Sequence, residues 1–265
     1  MSGDRVLAHR GIQQPNNTTI RYSVSGPRTG PTLVLIHGWA CDRTDFDALT
    51  AFLPTEYRVI AVDLAEHGES RSGRSVWTIE EFARDVVAVV HAECVDRCVV
   101  VGHSMGGAVA VEVARLLPQA VSRVVALDAL HYLFLFPAAH ARQAEAIMRP
   151  FHDDFAAGVR AMVSAGSPPG FDPTLQEAYA VRMSGVRLPA GLLALRGLVD
   201  WDMDRALSEV SQPITVFAVA EMVSQDAIHR YGDRLDIVPI ALGSHHFHVE
   251  SPKGTAELLA CAFAD

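Results

Sequence analysis

Paired cysteines, clustered basic residues and long apolar runs are all scarce in this sequence of 265 residues. The four cysteines show no paired spacing, which argues against a disulfide framework and for a reducing compartment. They are Cys41, Cys94, Cys98 and Cys261. No apolar run approaches the roughly 20 residues of a membrane span, and residues 1–5 hold no apolar signal core. We therefore expect a cytoplasmic protein with no membrane partner.

Charge limits the possible partners further. Lys and Arg number 22 against 31 Asp and Glu, which gives a net charge of −9, and the basic residues form no cluster. Nucleic-acid surfaces need such clusters to bind phosphates. We expect no nucleic-acid partner, and the sequence leaves the oligomeric state open.

Histidine is abundant, with twelve residues, but its spacing along the chain fits no metal motif such as H-E-x-x-H. His245, His246 and His248 form the only tight group in the sequence. Nothing in the sequence indicates a flavin, iron or copper site. We therefore expect no metal and no cofactor.

The clearest local pattern is a strand, a sharp turn and a helix around one serine. A β-branched apolar run from Cys98 ends in Gly102-His103-Ser104-Met105-Gly106, and residues 108–115 have the composition of a helix. This is the pattern of a nucleophile elbow, in which glycines let strand and helix approach closely and hold the serine hydroxyl exposed on a strained turn. Ser104 is therefore a candidate catalytic residue.

Strands and helices alternate along the rest of the chain. Buried strands are predicted over residues 32–36, 57–63, 121–127, 214–220 and 237–242, and helices over 45–53, 76–92 and 251–263. Such alternation predicts an α/β fold, with a mostly parallel sheet and helices on both faces. Ser104 would then lie at the carboxyl edge of a central strand, where open α/β sheets bind ligands.

A long insertion separates two of the predicted strands. A solvated loop of that length is improbable, and its aromatic and aliphatic residues suit a helical cap over an apolar pocket. We predict a cap over residues 130–204 on a core domain of residues 1–129 and 205–265. Residues 133–136 and Met148 would suit an apolar aromatic substrate with an alkyl tail, and equally a lipophilic ester.

The loop after the strand at 32–36 offers groups that stabilise negative charge. It consists of His37-Gly38-Trp39, and the glycine allows a turn that aims the Trp39 N–H at the Ser104 hydroxyl. The N–H of Met105 would supply the other half of an oxyanion hole. Trp39, Met105 and His37 are the candidate oxyanion and substrate-binding residues.

Through H-G-W, G-H-S-M-G-G and G-S-H-H-F the chain resembles the α/β-hydrolase superfamily over nearly its whole length. Most members are esterases, lipases or related hydrolases with a serine nucleophile, followed along the chain by an acid and a histidine. The segment from Gly243 to Phe247 resembles the G-x-x-H-F loop that presents the base, which favours His246. His245 and His248 are expected to be loop or supporting residues.

Asp128 is the expected acid, because it stands directly at the end of the strand at 121–127. In most of the superfamily the acid follows the penultimate strand, and here Met222 stands at that place. Glu221, one position away, is the reserve, and Asp226 is expected in the next helix. The predicted catalytic residues are Ser104, Asp128 and His246.

The displaced acid, Met222, the segment at His37 and the sequence Tyr57-Arg58-Val59-Ile60 are similar to one small branch, the cofactor-independent dioxygenases that cleave 3-hydroxy-4-quinolones. This resemblance implies that His246, helped by Asp128, removes the substrate 3-hydroxyl proton. Dioxygen then reacts with the anion, and ring opening releases carbon monoxide and an N-acylanthranilate.

In that branch Ser104 would be a hydrogen-bonding partner, and the implied partners are an apolar aromatic substrate, with a 2-alkyl tail, and dioxygen. The alternative is a serine hydrolase of a lipophilic ester, with the same three residues as a triad. A third class is a non-enzymatic ligand receptor on the same fold.

Overall fold

The computed structural model describes residues 7–132 and 141–263, and within these ranges eight strands form one sheet in the order β1-β2-β4-β3-β5-β6-β7-β8. The strands are β1 (Ala8–Gln14), β2 (Thr18–Ser25), β3 (Thr32–Ile36), β4 (Arg58–Val62), β5 (Cys98–His103), β6 (Val121–Leu127), β7 (Ile214–Val219) and β8 (Asp236–Ile240). β1 and β2 form an antiparallel hairpin, β2 pairs antiparallel with β4, and all other pairs are parallel. The predicted α/β fold with a mostly parallel sheet is confirmed.

Helices cover both faces of this sheet. The α-helices of the described residues are α1 (Asp47–Phe52), α2 (Ile79–Ala92), α3 (Met105–Leu116), α4 (Ala141–Asp153), α5 (Phe155–Ala165), α6 (Pro173–Ser184), α7 (Ala190–Val199), α8 (Met203–Ser208), α9 (Gln225–Tyr231), α10 (Phe247–Glu250) and α11 (Pro252–Phe263). α2 and α3 bury their apolar residues against one face, and α1 and α11 against the other. Strands with apolar residues on both faces are stable only when both faces are covered in this way.

The register of the parallel strands brings their carboxyl ends to one edge. His103 at the end of β5 lies beside Leu127 of β6, which in turn lies beside Phe217 of β7. Ser104 and Asp128 are the next residues of β5 and β6, so they emerge next to each other although 24 residues separate them in the chain. The sheet itself therefore builds the site.

Helices α4 to α8 lie between β6 and β7, in and just beyond the stretch predicted as a cap. Trp39, in the loop after β3, packs edge-on against Phe151 of α4 and Phe155 of α5. Its Nε1–H donates to the Gly191 carbonyl of α7 at 2.7 Å. α8 crosses the predicted boundary at residue 204 and packs against α3 of the sheet domain. The division into core and cap stays a prediction.

Residues 133–136, expected to line the pocket, lie outside the described residues. Among residues 7–132 and 141–263 no helix combines the length and the apolar character that a membrane span requires.

Candidate active site

Ser104 occupies the turn between β5 and α3 with φ 52° and ψ −121°. A positive φ is costly for a residue with a side chain and persists only where the surroundings impose it. Here they do, because a Cβ at Gly102 would lie 2.0 Å from the Gly106 carbonyl oxygen, and one at Gly106 would lie 2.2 Å from that of Ile36. The predicted strand, turn and helix are confirmed, and Ser104 is half-buried at the cavity wall.

Asp128 follows β6 but is held at the end of β7. Its backbone N–H donates to the Phe217 carbonyl at 2.7 Å, and its Oδ1 accepts from the Val219 N–H at 2.8 Å. The side chain is fully buried. An acid carried by β6 thus places its carboxylate beside the end of the penultimate parallel strand of the sheet.

Three side chains also donate to the Asp128 carboxylate: His245 through Nδ1 at 2.6 Å, His131 through Nε2 at 3.1 Å, and Tyr132 through its hydroxyl. Burial by itself raises the pKa of Asp128, but the hydrogen bonds from His131 and His245 outweigh it and hold this pKa below its usual range. The group is therefore a carboxylate at neutral pH, able to fix the tautomer of an imidazole.

The histidine on Asp128 is His245 and not His246, which corrects the predicted pairing. The His245 ring lines the cavity together with Ser104. The His246 ring also reaches the cavity but stacks on Tyr179, with ring centroids 4.3 Å apart and an angle of 26° between the planes.

The loop between β8 and α10 explains why two adjacent histidines have different partners. Glu250 closes this loop by accepting hydrogen bonds from the Ser244 backbone N–H at 2.7 Å and from its hydroxyl at 2.6 Å. The His245 N–H donates to the Gly166 carbonyl at the end of α5 at 2.8 Å, whereas His246 already caps α10. The G-x-x-H-F comparison therefore placed the histidine that contacts the acid one residue too late.

The loop after β3 approaches Ser104 closely. A Cβ at Gly38 would lie 3.0 Å from the Ser104 Cβ, so only glycine fits there without displacement. Met105 is the first residue of α3, and its backbone N–H has no carbonyl one turn earlier in the helix. Trp39 and Met105 both line the cavity, and their N–H groups remain the candidates for an oxyanion hole.

His37 has a different place from the one predicted. It is fully buried and absent from the cavity wall formed by the described residues. Its Nδ1 donates to the Gly38 carbonyl at 2.7 Å, and its Nε2 accepts from the Leu64 N–H at 3.0 Å. His37 thus ties the turn after β3 to the end of β4 and supports the turn, without facing a substrate.

The alternative acids, Glu221 and Asp226, do not line the cavity that contains Asp128 and His245. Glu221 and Asp226 are both exposed, and Asp226 lies in α9 as expected. Met222 lines the cavity, with its sulfur 3.9 Å from the Tyr132 hydroxyl.

Sequence reasoning missed His131 and Tyr132. The Tyr132 hydroxyl bonds Asp128 and lies 3.2 Å from Nδ1 of His245, and burial raises its pKa well above the usual value, so it is a donor. The only signal in the sequence was that the two residues follow Asp128 by three and four positions. Without the fold, this spacing does not indicate a contact with the carboxylate.

Four histidine rings crowd around the elbow. The centroid of His103 lies 4.7 Å from that of His245, 5.2 Å from His246 and 4.1 Å from His248. Burial lowers the pKa of His248 to about 3 and the pKa values of His103 and His246 well below the usual value. These three rings are therefore neutral at pH 7.

A cavity of about 330 Å³ opens above Ser104, beneath α4, α5 and α7. Its wall is mostly apolar and includes Ile147, Phe151, Met162, Val163, Leu195 and Leu198. Its volume lies at the lower end of the range for small-molecule sites, about 300–1,000 Å³. An apolar chain fits this environment, with the polar groups concentrated at the Ser104 end.

An elbow serine at the carboxyl edge of a parallel sheet, beside a histidine on a buried aspartate, defines a class of α/β proteins. Residues 33–258 match the model of the alpha/beta hydrolase family, and the chain belongs to this family. A serine hydrolase-like protein of Danio rerio is 36% identical over 116 residues, covering 43% of this chain and 36% of that protein. A non-heme chloroperoxidase of Streptomyces lividans is 38% identical over 121 residues, covering 45% of this chain and 44% of that protein. These alignments span less than half of either relative.

Among solved structures, that of Est816, described as an N-acyl homoserine lactone degrading enzyme, superimposes with a TM-score of 0.81 at 23% identity, covering 96% of this chain and 100% of that chain. The esterase EaEST of Exiguobacterium antarcticum superimposes with a TM-score of 0.79 at 17% identity, covering 96% and 99%. At these identities the likeness shows the shared fold alone.

Proposed function

We propose that the protein is a serine hydrolase that cleaves esters or lactones with an apolar acyl chain. The observation that carries this proposal is the 2.6 Å hydrogen bond from His245 Nδ1 to Asp128, made by a histidine that lines the same cavity as Ser104. With Nδ1 donating to Asp128, Nε2 of His245 is left to accept the Ser104 proton. His245 therefore takes the role that the sequence assigned to His246.

In the proposed reaction Ser104 Oγ attacks the ester carbonyl carbon while His245 takes its proton. The oxygen of the tetrahedral intermediate becomes negative and is stabilised by the N–H groups of Met105 and Trp39. His245 then protonates the leaving alcohol, and water, activated by the same histidine, releases the acid from Ser104. Asp128 stabilises the imidazolium that forms twice in this cycle.

The apolar cavity supports the proposed substrate class. Its apolar wall at Ile147, Met162 and Leu195 favours an aliphatic acyl chain over a charged one, because a charged group would be buried there without partners. The relative named serine hydrolase-like protein, 36% identical over 116 residues, supports the same class of reaction.

The test is hydrolysis of p-nitrophenyl esters of increasing acyl length by the purified chain. We expect turnover that Ser104→Ala and His245→Ala each reduce by about 10³-fold or more. Glu221→Gln, which changes an exposed carboxylate outside the cavity, is the matched control and should keep the wild-type rate. Turnover that survives Ser104→Ala would rule out an acyl-enzyme.

The second candidate is the cofactor-independent cleavage of a 2-alkyl-3-hydroxy-4-quinolone by dioxygen. It is favoured by the position of the acid after β6 and by the apolar cavity, in which a substrate anion is shielded from reprotonation. In this reaction His245 removes the proton of the substrate 3-hydroxyl, and Ser104 forms a hydrogen bond to the substrate without acting as a nucleophile.

The two candidates predict different effects of one substitution. The second is tested with the quinolone in air and under nitrogen, following absorbance and carbon monoxide. Oxygen-dependent loss of substrate with carbon monoxide release, abolished by His245→Ala but only weakened by Ser104→Ala, would establish it. If the quinolone does not react and ester turnover depends on Ser104, the dioxygenase candidate is excluded and the hydrolase proposal stands.

A further inference from the structure

Three side chains able to ligate a metal converge at the inner wall of the cavity. Cys41 lies in the loop after β3, His103 at the end of β5 and His246 directly before α10. One ligand atom from each lies within 4.8 Å of the other two, and all three residues are buried. One thiolate and two imidazoles are the donors that zinc and similar borderline-soft ions prefer.

The hydrogen bonding of His103 leaves one of its nitrogens available to a ligand. Its Nε2 lies 2.9 Å from the His245 carbonyl oxygen, and since a carbonyl only accepts, Nε2 carries the proton. Nδ1 therefore holds the lone pair, and this buried atom has no hydrogen-bonding partner among the described residues. Metal-bound imidazoles typically donate their second nitrogen to a carbonyl in this way.

The charges around the cluster also tolerate a cation. Arg182, the nearby guanidinium, is paired with Asp45 at 2.5 Å and with Asp42 at 3.4 Å, so its charge is compensated. Cys41 adds one negative charge as a thiolate when an ion displaces its proton.

We propose that Cys41, His103 and His246 bind one divalent ion, Zn²⁺ or a similar borderline-soft metal ion, in the wall of the cavity. Ligand atoms around tetrahedral zinc lie about 3.5 Å apart, so the three side chains would close by roughly 1 Å on binding. All three line the cavity, which leaves the fourth coordination position open to water or a substrate group. The spacing of these residues along the chain hides the site, because 205 positions separate Cys41 from His246.

Inhibition is the functional consequence, and this step rests on the proposed hydrolase function. The ligands His103 and His246 directly adjoin Ser104 and His245 in the chain. An ion held by His103 and His246 would draw the elbow and the loop between β8 and α10 together. It would also occupy the end of the cavity where the acyl carbonyl must lie. Zinc would therefore stop turnover, and a chelator would restore it.

Binding is tested first, without reference to activity, by calorimetric titration of chelator-treated protein with Zn²⁺. We expect one ion per chain in the wild type, and a Kd raised at least about tenfold in Cys41→Ala and in His246→Gln. The matched control is the double variant Cys94→Ala/Cys261→Ala, which removes the two exposed thiols and should bind as the wild type does.

Cobalt gives a second, spectroscopic readout. A thiolate-to-cobalt charge-transfer band is expected on Co²⁺ addition to the wild type and the double control, and its absence is expected in Cys41→Ala. Lack of stoichiometric zinc binding by the wild type, or a band that persists in Cys41→Ala, would overturn the proposal. Melting of the metal-free variants verifies their folding, and His246→Gln carries the test if Cys41→Ala does not fold.

Zinc inhibition of ester hydrolysis is measured last, in the wild type and the double control. A protein that binds zinc through Cys41 but hydrolyses no ester would contradict the hydrolase proposal and leave the metal site standing. Unimpeded hydrolysis by a protein shown to hold zinc would overturn the inhibitory role.

Discussion

Asp128 accepts a 2.6 Å hydrogen bond from Nδ1 of His245, although 117 positions separate the two residues in the chain. The acid comes from the end of β6 and the histidine from the loop after β8, with β7 between them. The Val219 N–H at the end of β7 also bonds Asp128, so the pair is held across three neighbouring strands. This arrangement makes the acid and its supporting groups the most informative targets for substitution.

Asp128→Asn should lower kcat for ester hydrolysis by about 10⁴-fold with a small change in KM. The amide cannot stabilise the imidazolium form of His245 and allows the wrong tautomer. Steady-state kinetics with Glu221→Gln as the comparison checks this, because Glu221 is the exposed carboxylate nearest in sequence to the end of β7. A large loss in Glu221→Gln with little loss in Asp128→Asn would reverse the assignment.

Tyr132→Phe should lower kcat by about 10-fold to 100-fold, since a hydrogen bond to a charged group contributes about 1.5–3 kcal/mol. The hydroxyl donates to the Asp128 carboxylate, and its loss leaves His245 less firmly held. Because Tyr132 acts through Asp128, we expect KM to change little and the pH profile of kcat to shift. Tyr57→Phe, on a half-buried tyrosine that packs against Phe263, is the control. An unchanged pH profile with reduced thermal stability would mean that Tyr132 is only structural.

Val163→Phe should shift the preference of the protein toward shorter acyl chains. Val163 is buried and lines the cavity, so the larger ring removes room for about two methylene groups, each worth about 0.8 kcal/mol. We expect kcat/KM for the longest accepted ester to fall by about tenfold, with little change for acetate. Val181→Phe, on an exposed position of α6, is the matched control. Equal losses for all chain lengths would place the acyl chain elsewhere.

The free energy of unfolding should fall as the pH is lowered from about 6.5 toward 3. Burial lowers the pKa of His67 and of His248 to about 3, so in this window the unfolded chain binds more protons than the folded one. The stability that these two buried histidines contribute is therefore fully present above about pH 6.5, the pKa of histidine in the unfolded chain, and it is lost as the pH falls toward their folded-state pKa. Asp85, whose pKa is raised to about 6, has the opposite effect, because its protonation stabilises the folded state as the pH falls. This single group is outweighed by the several buried histidines whose pKa values are lowered.

Urea unfolding at a series of pH values measures this slope, and His248→Leu should flatten it. Both nitrogens of His248 are buried and have no hydrogen-bonding partner within residues 7–132 and 141–263, and the ring faces Phe46, His103 and His246. His229→Leu, on an exposed position of α9, should leave the slope as it is. An unaltered slope in His248→Leu would show that His248 does not titrate on unfolding.

The sequence by itself determined the sheet, the elbow and the place of the acid. The strand at residues 32–36 and the one at 121–127 have the predicted bounds, because short apolar runs that contain β-branched residues, here residues 33–36 and 124–127, favour a buried strand. The G-x-S-x-G turn is equally local, since the close approach of strand and helix demands glycine at Gly102 and Gly106. Asp128 followed from its position at the end of a strand.

Tertiary structure alone decided which histidine meets Asp128, because His245 and His246 are adjacent and chemically identical. The choice depends on Glu250 closing the loop over Ser244 and on the Gly166 carbonyl of α5 receiving the His245 N–H. The same holds for the cluster of Cys41 with His103 and His246, and for the support of the carboxylate by His131 and Tyr132. Periodicity and motifs describe neighbours along the chain, whereas these contacts arise where separate loops pack at one edge of the sheet.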